Sequence, residues 1–168
     1  METRLKFQDF QAKLKRDLQE SHCRLSAGPE YEDPGQLPAL ILAYIGDAVF
    51  SLHVRTAMLA VESNKVHVLH TLLARMASAG LQAQALHMLE DKGLEEQELA
   101  VVRRGRNAKG RVPRSATVAD YRASTALEAL LGYLYLSGQQ VRLQQILGQL
   151  VEYMCNAMTS EMEGSLRK

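Results

Sequence analysis

Apolar residues recur along much of the chain at the three- and four-residue spacing of one helix face. Near the start, Phe7, Phe10, Leu14 and Leu18 predict an amphipathic helix over residues 3–20. No stretch alternates apolar and polar residues long enough to indicate a strand, and the whole chain has only four prolines. The pattern therefore predicts an all-α protein, a bundle of about six or seven helices.

Residues that start and stop helices divide the rest of the chain. Each belongs to a residue type that favours a helix terminus, either by capping free backbone groups or by a permissive backbone. The predicted signals are Pro38 and Asn64 at helix starts, Ser78 as a break or new cap, Gly93 and Gly105 as C-terminal caps, and Thr117 with Asp120 as a capping box.

A polar segment rich in glycine and proline separates the first predicted helix from the others. Two glycines and two prolines lie between residues 28 and 35, which makes this the best linker in the chain. We therefore divide the chain into an N-terminal helical extension and linker (1–35), a helical body (36–158) and a C-terminal tail (159–168).

Composition fits a single globular domain. Of 168 residues, 46% are hydrophobic and 23% are charged, and the formal net charge is +1. A chain of this length buries enough apolar surface to fold without disulfides or a structural metal. The balanced charge excludes a uniformly basic nucleic-acid coat and an acidic solvating tail.

Cysteine usage and the placement of charges bear on the cellular compartment. Cys23 and Cys155 have neither the spacing of metal ligands nor the density of a disulfide framework. The charged residues 1–20 are unlike a secretory signal. The longest apolar stretch, residues 39–50, is interrupted by Asp47 and is too short to cross a bilayer. We therefore expect a soluble, cytoplasmic protein that is not bound to a membrane.

Two acidic residues stand alone in apolar segments. Asp47 is the only charged residue in residues 39–50, a segment otherwise suited to complete burial, and Glu128 is the only one in residues 124–135. A buried carboxylate costs several kcal/mol unless it is paired, hydrogen-bonded or bound to metal. Each acid also has an ordinary interpretation, at about even odds: Asp47 as a helix cap or a partner of Arg55, and Glu128 as a surface residue of the bundle.

Glycines accompany both acids. Gly46 lowers helix propensity by roughly 1 kcal/mol relative to alanine, which indicates that another group approaches the backbone closely at that point. Gly132 lies one turn beyond Glu128 on the same helix face. If the two helices pack together, Asp47 and Glu128 can converge on one divalent cation, because hard oxygen ligands suit Mg²⁺.

Residues 103–114 contain six basic side chains and no acid. Without them the chain has 14 basic and 19 acidic residues, since the totals are 20 and 19. Charge segregated in this way is typical of a phosphate-binding element, although a solvated loop that complements helix C-termini is the alternative. The candidate RNA-binding residues within or beside this segment are Arg103, Arg104, Arg106, Asn107 and Lys109.

Three blocks of the sequence together resemble the ribonuclease III catalytic domain, and more closely its short bacterial form, Mini-ribonuclease III. The blocks are residues 42–50 (LAYIGDAVF), 104–109 (RGRNAK) and 121–134 (YRASTALEALLGYL). The resemblance runs from about residue 36 to residue 153. It implies an all-α endonuclease domain without a following double-stranded-RNA-binding domain, to which the N-terminal helix of this chain is an addition.

The resemblance also implies a function. It assigns Asp47 and Glu128 as catalytic residues and ligands of Mg²⁺, in a homodimeric endoribonuclease that cleaves double-stranded RNA and leaves 5′-phosphate and 3′-hydroxyl ends. Full-length ribonuclease III has two further acids, whose positions are Ala43 and Thr125 here, so water, RNA phosphate and Thr125 are expected to complete the coordination. Gly80 stands where Mini-ribonuclease III sequences usually carry a lysine, which bears on one RNA contact.

The family role implied is maturation of the 23S ribosomal RNA precursor, assisted by a large-subunit ribosomal protein. Two other interpretations remain open at this point. A catalytically inactive RNA-binding protein of the same fold is supported by the missing acids at Ala43 and Thr125. A helical protein-interaction module explains the apolar stripes but gives the basic segment no purpose.

Overall fold

Six α-helices and one 3-10 turn make up the part of the chain that this computed structural model describes, residues 33–60, 62 and 64–166, with side chains to residue 160. No strand occurs among these residues, and the all-α prediction is confirmed. The predicted helix over residues 3–20 lies outside the described residues. The elements are the turn Pro34–Gln36, then α1 (Ala39–Met58), α2 (Val66–Met76), α3 (Ala79–Lys92), α4 (Glu96–Asn107), α5 (Val118–Leu136) and α6 (Gln140–Leu166).

Most helix boundaries follow the predicted capping residues. Pro38 precedes α1, and the Ser78 hydroxyl accepts a hydrogen bond from the backbone N–H of Leu81 at the start of α3. Gly93 ends α3 with φ = 97°, a conformation that other residues rarely adopt. Thr117 Oγ1 accepts the Asp120 N–H at 3.0 Å and so caps α5. Local side-chain chemistry therefore sets these boundaries.

Two predicted caps are wrong. The helix after Asn64 starts at Val66, with Lys65 in the capping position. Gly105 does not end α4, which continues to Asn107. Instead Gly105 is buried, and a Cβ atom there would press on the Cα atom of Ala126 in α5. The glycine therefore allows α4 and α5 to pack closely rather than terminating α4.

Helix α5 is the centre of the bundle. Twelve of its 19 residues are buried, and α1, α3, α4 and α6 all pack against it. This surrounding explains why the segment is nearly continuous in apolar and small residues, as expected for a helix covered on all sides. Glu128 therefore lies on the one helix that contacts most of the others.

Two glycines allow α1 to cross α5 at the distance of backbone contact. A Cβ atom at Gly46 would overlap the backbone carbonyl oxygen of Glu128, and one at Gly132 would overlap the carbonyl oxygen of Leu42. Only a residue without a side chain fits at either place. The close approach predicted at Gly46 is confirmed, and the partner is the backbone at Glu128 itself.

The opposite face of α1 is open, so the prediction of complete burial for residues 39–50 is wrong. Leu40, Ile41, Tyr44 and Leu52 are 41–76% exposed. The reason is that α1 lies at the edge of the bundle and only its inner face packs on α5. By length and composition alone, α1 (unlike residues 39–50) also passes the test for a membrane span, which core helices of soluble proteins pass too. Its packing on α5 accounts for it as a helix of the bundle.

An ion pair between α4 and α6 lies almost entirely out of solvent. Glu98 is 2% exposed, and Arg142 donates from Nε to Oε1 at 2.7 Å and from Nη2 to Oε2 at 2.8 Å. Burial alone would raise the pKa of Glu98, but the Arg142 hydrogen bond, the Glu95 N–H and the Arg142 charge together lower it. The pair therefore holds α6 against the start of α4.

The C-terminal helix is longer than predicted. Helix α6 continues to Leu166, through most of the segment expected to be a tail after residue 158. Its apolar stripe, which includes Leu143, Ile146, Leu150 and Met154, is buried as predicted. The described residues all belong to one compact unit, residues 32–168.

Candidate active site

Asp47 and Glu128 come together where α1 crosses α5. Gly46 packs on the backbone carbonyl of Glu128, so the neighbouring Asp47 is carried to the same level of the bundle. The carboxylates are close enough for the charge of Asp47 to act on Glu128. Their environments differ, because Asp47 is exposed whereas Glu128 is partly buried. The expectation of two buried acids is therefore wrong for Asp47.

The ordinary interpretation of Asp47 receives no support from its surroundings. Asp47 lies in the middle of α1 rather than at a helix start. Within the described part of the chain, its side chain forms no ion pair with Arg55. The carboxylate is left open to solvent on one side and faces Glu128 on the other.

The electrostatics of Glu128 are unusual for a glutamate. Burial, and after it the negative charge of Asp47, raise the pKa of Glu128 to about 7, while a hydrogen bond from the Gln82 side chain opposes the rise. Both causes penalise the ionised form, since low dielectric and a like charge disfavour negative charge. Perturbation of this kind is common at functional sites. A cation between the two carboxylates would relieve the repulsion.

Gln82 is a site residue that the sequence did not single out. It lies on α3, is 2% exposed, and donates its side-chain hydrogen bond to Glu128. Its neighbours Ala83, Ala85 and Leu86 are also buried. A glutamine within this buried helix face was the available sequence signal, but nothing in the sequence identified its partner.

The two positions where longer family members carry acids are filled by small buried residues. Ala43 is 6% exposed and Thr125 is 4% exposed. Ala43 offers no ligand atom, and Thr125 offers one hydroxyl oxygen. In the part of the chain that is described, no group of three or more His, Cys, Asp or Glu side chains is placed to hold a metal ion. The acidic site consists of one carboxylate pair.

This pair fits a hard divalent cation that keeps other oxygen ligands. Mg²⁺ is commonly bound in proteins through one or two carboxylates, with water and phosphate oxygens in the remaining positions. The mutual repulsion that raises the pKa of Glu128 is the electrostatic signature of a site that lacks its countercharge. Asp47 and Glu128 would hold the ion.

The basic segment begins on α4 and continues into the loop that leads to α5. Residues 103–107 form the last turns of α4, and residues 108–117 connect it to α5. Arg103, Asn107 and Lys109 are exposed, and neither cation forms an ion pair with another described residue. These three side chains are free to meet an external phosphate.

The other two arginines predicted for RNA binding are engaged within the protein. The Arg104 guanidinium donates hydrogen bonds to the backbone carbonyl oxygens of Gly35 and Leu37. Arg106 Nη2 lies 2.7 Å from Glu90 Oε2, which links α4 to α3. Arg104 therefore ties the turn before α1 to α4, and Arg106 orients the end of α4.

Glycine is also required in the loop. A Cβ atom at Gly110 would overlap the hydroxyl oxygen of Tyr121 on α5. The loop backbone therefore lies directly on this tyrosine, close to the basic side chains at residues 109 and 111. The contact holds part of the basic segment against the bundle.

Comparison with known proteins gives a consistent result. A family model described as the Ribonuclease III domain matches residues 40–139. A Mini-ribonuclease 3 of Symbiobacterium thermophilum is 48% identical over 122 residues, which cover 72% of this chain and 93% of that protein. The Mini-ribonuclease 3 of Brevibacillus brevis is 46% identical over 118 residues, covering 70% of this chain and 87% of the relative. The chain belongs to the Mini-ribonuclease 3 branch of the ribonuclease III family.

A solved structure agrees with this assignment. A crystal structure of a Fusobacterium nucleatum protein superposes with a TM-score of 0.65 at 28% identity, covering 71% of this chain and 96% of that one. The family predicted from the three sequence blocks and its fold are thus confirmed. The chain is an endoribonuclease that acts on double-stranded RNA.

Proposed function

We propose that this Mini-ribonuclease 3 cleaves double-stranded RNA with Mg²⁺ held by Asp47 and Glu128. The observation that carries the proposal is the meeting of these carboxylates at the α1–α5 crossing, where the charge of Asp47 helps to raise the pKa of Glu128 to about 7. Two like charges placed together at a partly open site are a cost to the fold, which a bound cation turns into a binding site.

The residues divide the work by their exposure. A bound Mg²⁺ would polarise the scissile phosphate and lower the pKa of a water molecule. Asp47, which is exposed, can approach the RNA backbone directly. Glu128 is fixed on the central helix and sets the position of the pair relative to the bundle. The Thr125 hydroxyl and oxygens of water and RNA complete the coordination, and the products carry 5′-phosphate and 3′-hydroxyl ends.

Duplex RNA is held by the end of α4 and the loop after it. Arg103, Asn107 and Lys109 are exposed and supply donors for phosphate and ribose oxygens. Arg104 and Arg106 add positive charge and hold this segment in place through their protein contacts. A-form RNA presents its backbone and 2′-hydroxyls rather than readable base edges, so this grip recognises the shape of the duplex.

The enzyme acts as a homodimer. Leu40, Ile41, Tyr44 and Leu52 form an exposed apolar stripe on α1, and an apolar stripe of this kind is typical of an interface. A second copy of the chain is the occupant that the family resemblance supports. Two active sites on one dimer can then cut both strands of the same duplex.

The cellular role that fits this activity is maturation of the 23S ribosomal RNA precursor in the cytoplasm, with a large-subunit ribosomal protein shaping the substrate. Support for this part comes from the family resemblance alone. A second candidate is a catalytically inactive RNA-binding protein of the same fold. The observation that favours it is the absence of acids at Ala43 and Thr125, both of which are buried.

A cleavage assay on long duplex RNA decides between the two. The wild-type protein, Asp47→Asn, Glu128→Gln and the exposed control Asp91→Asn are each incubated with Mg²⁺ and with a chelator. We expect both site variants to lose about 100-fold or more of the cleavage rate, since metal contacts contribute several kcal/mol to the transition state. Asp91→Asn should cleave like the wild type.

Cleavage that persists in the chelator, or in Asp47→Asn, would overturn the magnesium mechanism. Binding of duplex RNA by the wild-type protein without any cleavage would establish the inactive alternative.

A further inference from the structure

Few polar side chains are buried among the described residues, and all but one of the hydrogen-bonded ones serve the fold. They are Gln82, Glu98, Ser124 and Thr125. Glu98 is paired with Arg142, and the Ser124 hydroxyl donates to the backbone carbonyl of Tyr121 at 3.0 Å. The hydrogen bond of Gln82 goes instead to Glu128, a residue of the candidate site. Gln82 is thus the buried polar group that points to function.

The position of Gln82 is fixed by the helix that carries it. Ser78 caps α3, and Leu86 and Leu89 on the same helix are at most 2% exposed. Burying a carboxamide costs roughly 1–3 kcal/mol unless a partner satisfies it. An apolar side chain would fill this part of the core without that cost. The glutamine is therefore best explained by what its amide does to Glu128.

We propose that Gln82 is a positioning residue, whose buried amide holds the Glu128 carboxylate in the orientation that binds the divalent cation. This inference rests on the proposed function of Glu128 as a metal ligand. Helices α1, α5 and α3 then each contribute one group to the site: Asp47, Glu128 and the amide that orients Glu128.

The neutrality of the glutamine matters. An arginine or lysine at this place would also hydrogen-bond the carboxylate, but its positive charge would repel an incoming cation and satisfy the acid by itself. The Arg142–Glu98 pair is the example of that arrangement in this protein, and there it stabilises the fold. A carboxamide orients Glu128 and leaves its negative charge available. Outer-shell hydrogen bonds of this kind are known to support metal ligands.

Manganese binding measured without RNA tests the inference, because it does not depend on turnover. Electron paramagnetic resonance of free Mn²⁺ gives the half-saturation concentration for the wild type, for Gln82→Met, which keeps the size of the side chain, and for Gln82→Asn, which withdraws the amide. Removal of an outer-shell partner typically costs 10–100-fold in metal affinity, and we expect a loss of about that size in both variants. Gln84→Met, an exposed glutamine on the same helix, should bind Mn²⁺ like the wild type.

A merely structural role is distinguished by the same measurement in the Glu128→Gln background. There the carboxylate is absent, so Gln82→Met should cause no further loss of Mn²⁺ affinity. Equal losses in both backgrounds would overturn the inference, as would wild-type affinity in Gln82→Met or, if that variant does not fold, in Gln82→Asn. In RNA cleavage, the Mg²⁺ requirement should rise while the KM for RNA stays unchanged.

Failure of the proposed function has a different signature. If Glu128→Gln binds Mn²⁺ as tightly as the wild type, Glu128 is not a metal ligand and both proposals fail. If Glu128→Gln loses binding while the Gln82 variants keep it, only the role of Gln82 is overturned.

Discussion

The Glu128 carboxyl group sets function against stability. Its pKa is raised to about 7 from the ordinary 4.5, through burial first and the charge of Asp47 second. A carboxyl group whose pKa is raised by folding binds more protons in the folded state. It therefore costs stability as the pH rises above 4.5, and the full cost is reached above pH 7. The protein keeps this group at the centre of its bundle although a neutral residue would be more stable there.

We predict that Glu128→Gln stabilises the metal-free protein at high pH. At pH 8 in the presence of a chelator, the free energy of unfolding should rise by about 2–3 kcal/mol, because the variant carries no charge to bury or to repel Asp47. At pH 4.5 the difference should nearly vanish, since the wild-type carboxyl is then protonated in the folded state. Urea unfolding at both pH values measures the effect.

The exposed Glu152→Gln on α6 is the matched control and should show little change at either pH. A Glu128→Gln variant that is less stable than the wild type at pH 8 would contradict the proposed electrostatics. Addition of Mg²⁺ should stabilise the wild type and leave Glu128→Gln unaffected.

Single residues were predictable where their type conflicts with their neighbours. Asp47 and Glu128 stand out because each is a lone acid in an apolar segment. Their unequal exposure was not predictable, since the apolar pattern of α1 does not reveal that one of its faces stays open. Gln82 escaped notice because a single glutamine carries no sequence signal until its partner from another helix is known. Tertiary contacts give the same residue type different roles.

At the level of elements, the crossing of α1 and α5 is what assembles the carboxylate pair. Gly46 and Gly132 let the two backbones touch, and the crossing lies directly at Glu128. The sequence predicted a close approach at Gly46 correctly but assigned Gly105 to a helix end. A glycine at a helix terminus and one at a helix crossing look alike in sequence, and only the packing partner, here Ala126, distinguishes them.

We predict that Gly46→Ala destabilises the protein and abolishes RNA cleavage together. The added Cβ atom would overlap a backbone carbonyl, which cannot rotate away as a side chain can, so α1 must shift from α5. Overpacking of this kind costs about 1–3 kcal/mol or more, and the shift separates Asp47 from Glu128. Urea unfolding and the cleavage rate at saturating Mg²⁺ measure the two effects.

Gly148→Ala on α6 is the control, because no atom lies within 4 Å of its added Cβ. That variant should gain up to about 1 kcal/mol from better helix propensity and keep its activity. Normal cleavage by Gly46→Ala would show that the α1–α5 distance does not set the site.

On the scale of the whole molecule, α1 carries both the site and the proposed dimer face. Successive residues of a helix are rotated by about 100°, which places Asp47 at the border between the buried face and the exposed stripe of Leu40, Ile41, Tyr44 and Leu52. A second copy seated on the stripe would form one wall of a cleft beside Asp47. Dimerisation and catalysis would then depend on the same helix.

We therefore predict that a charge on the exposed stripe separates the subunits without unfolding them. Leu52 is 67% exposed, so Leu52→Glu leaves the core of one subunit intact. In a twofold dimer the substitution places a carboxylate in the interface from each subunit, and we expect the dimer dissociation constant to rise about 100-fold or more. Sedimentation equilibrium measures the mass, and Val118→Glu, at an apolar residue 52% exposed on α5, is the control. If the wild type sediments as a monomer at every concentration, or if Leu52→Glu remains dimeric, the stripe is not the dimer interface. A monomeric Leu52→Glu should also cut both strands of a duplex at one place far less often than the wild type, because the two sites no longer act on the same RNA.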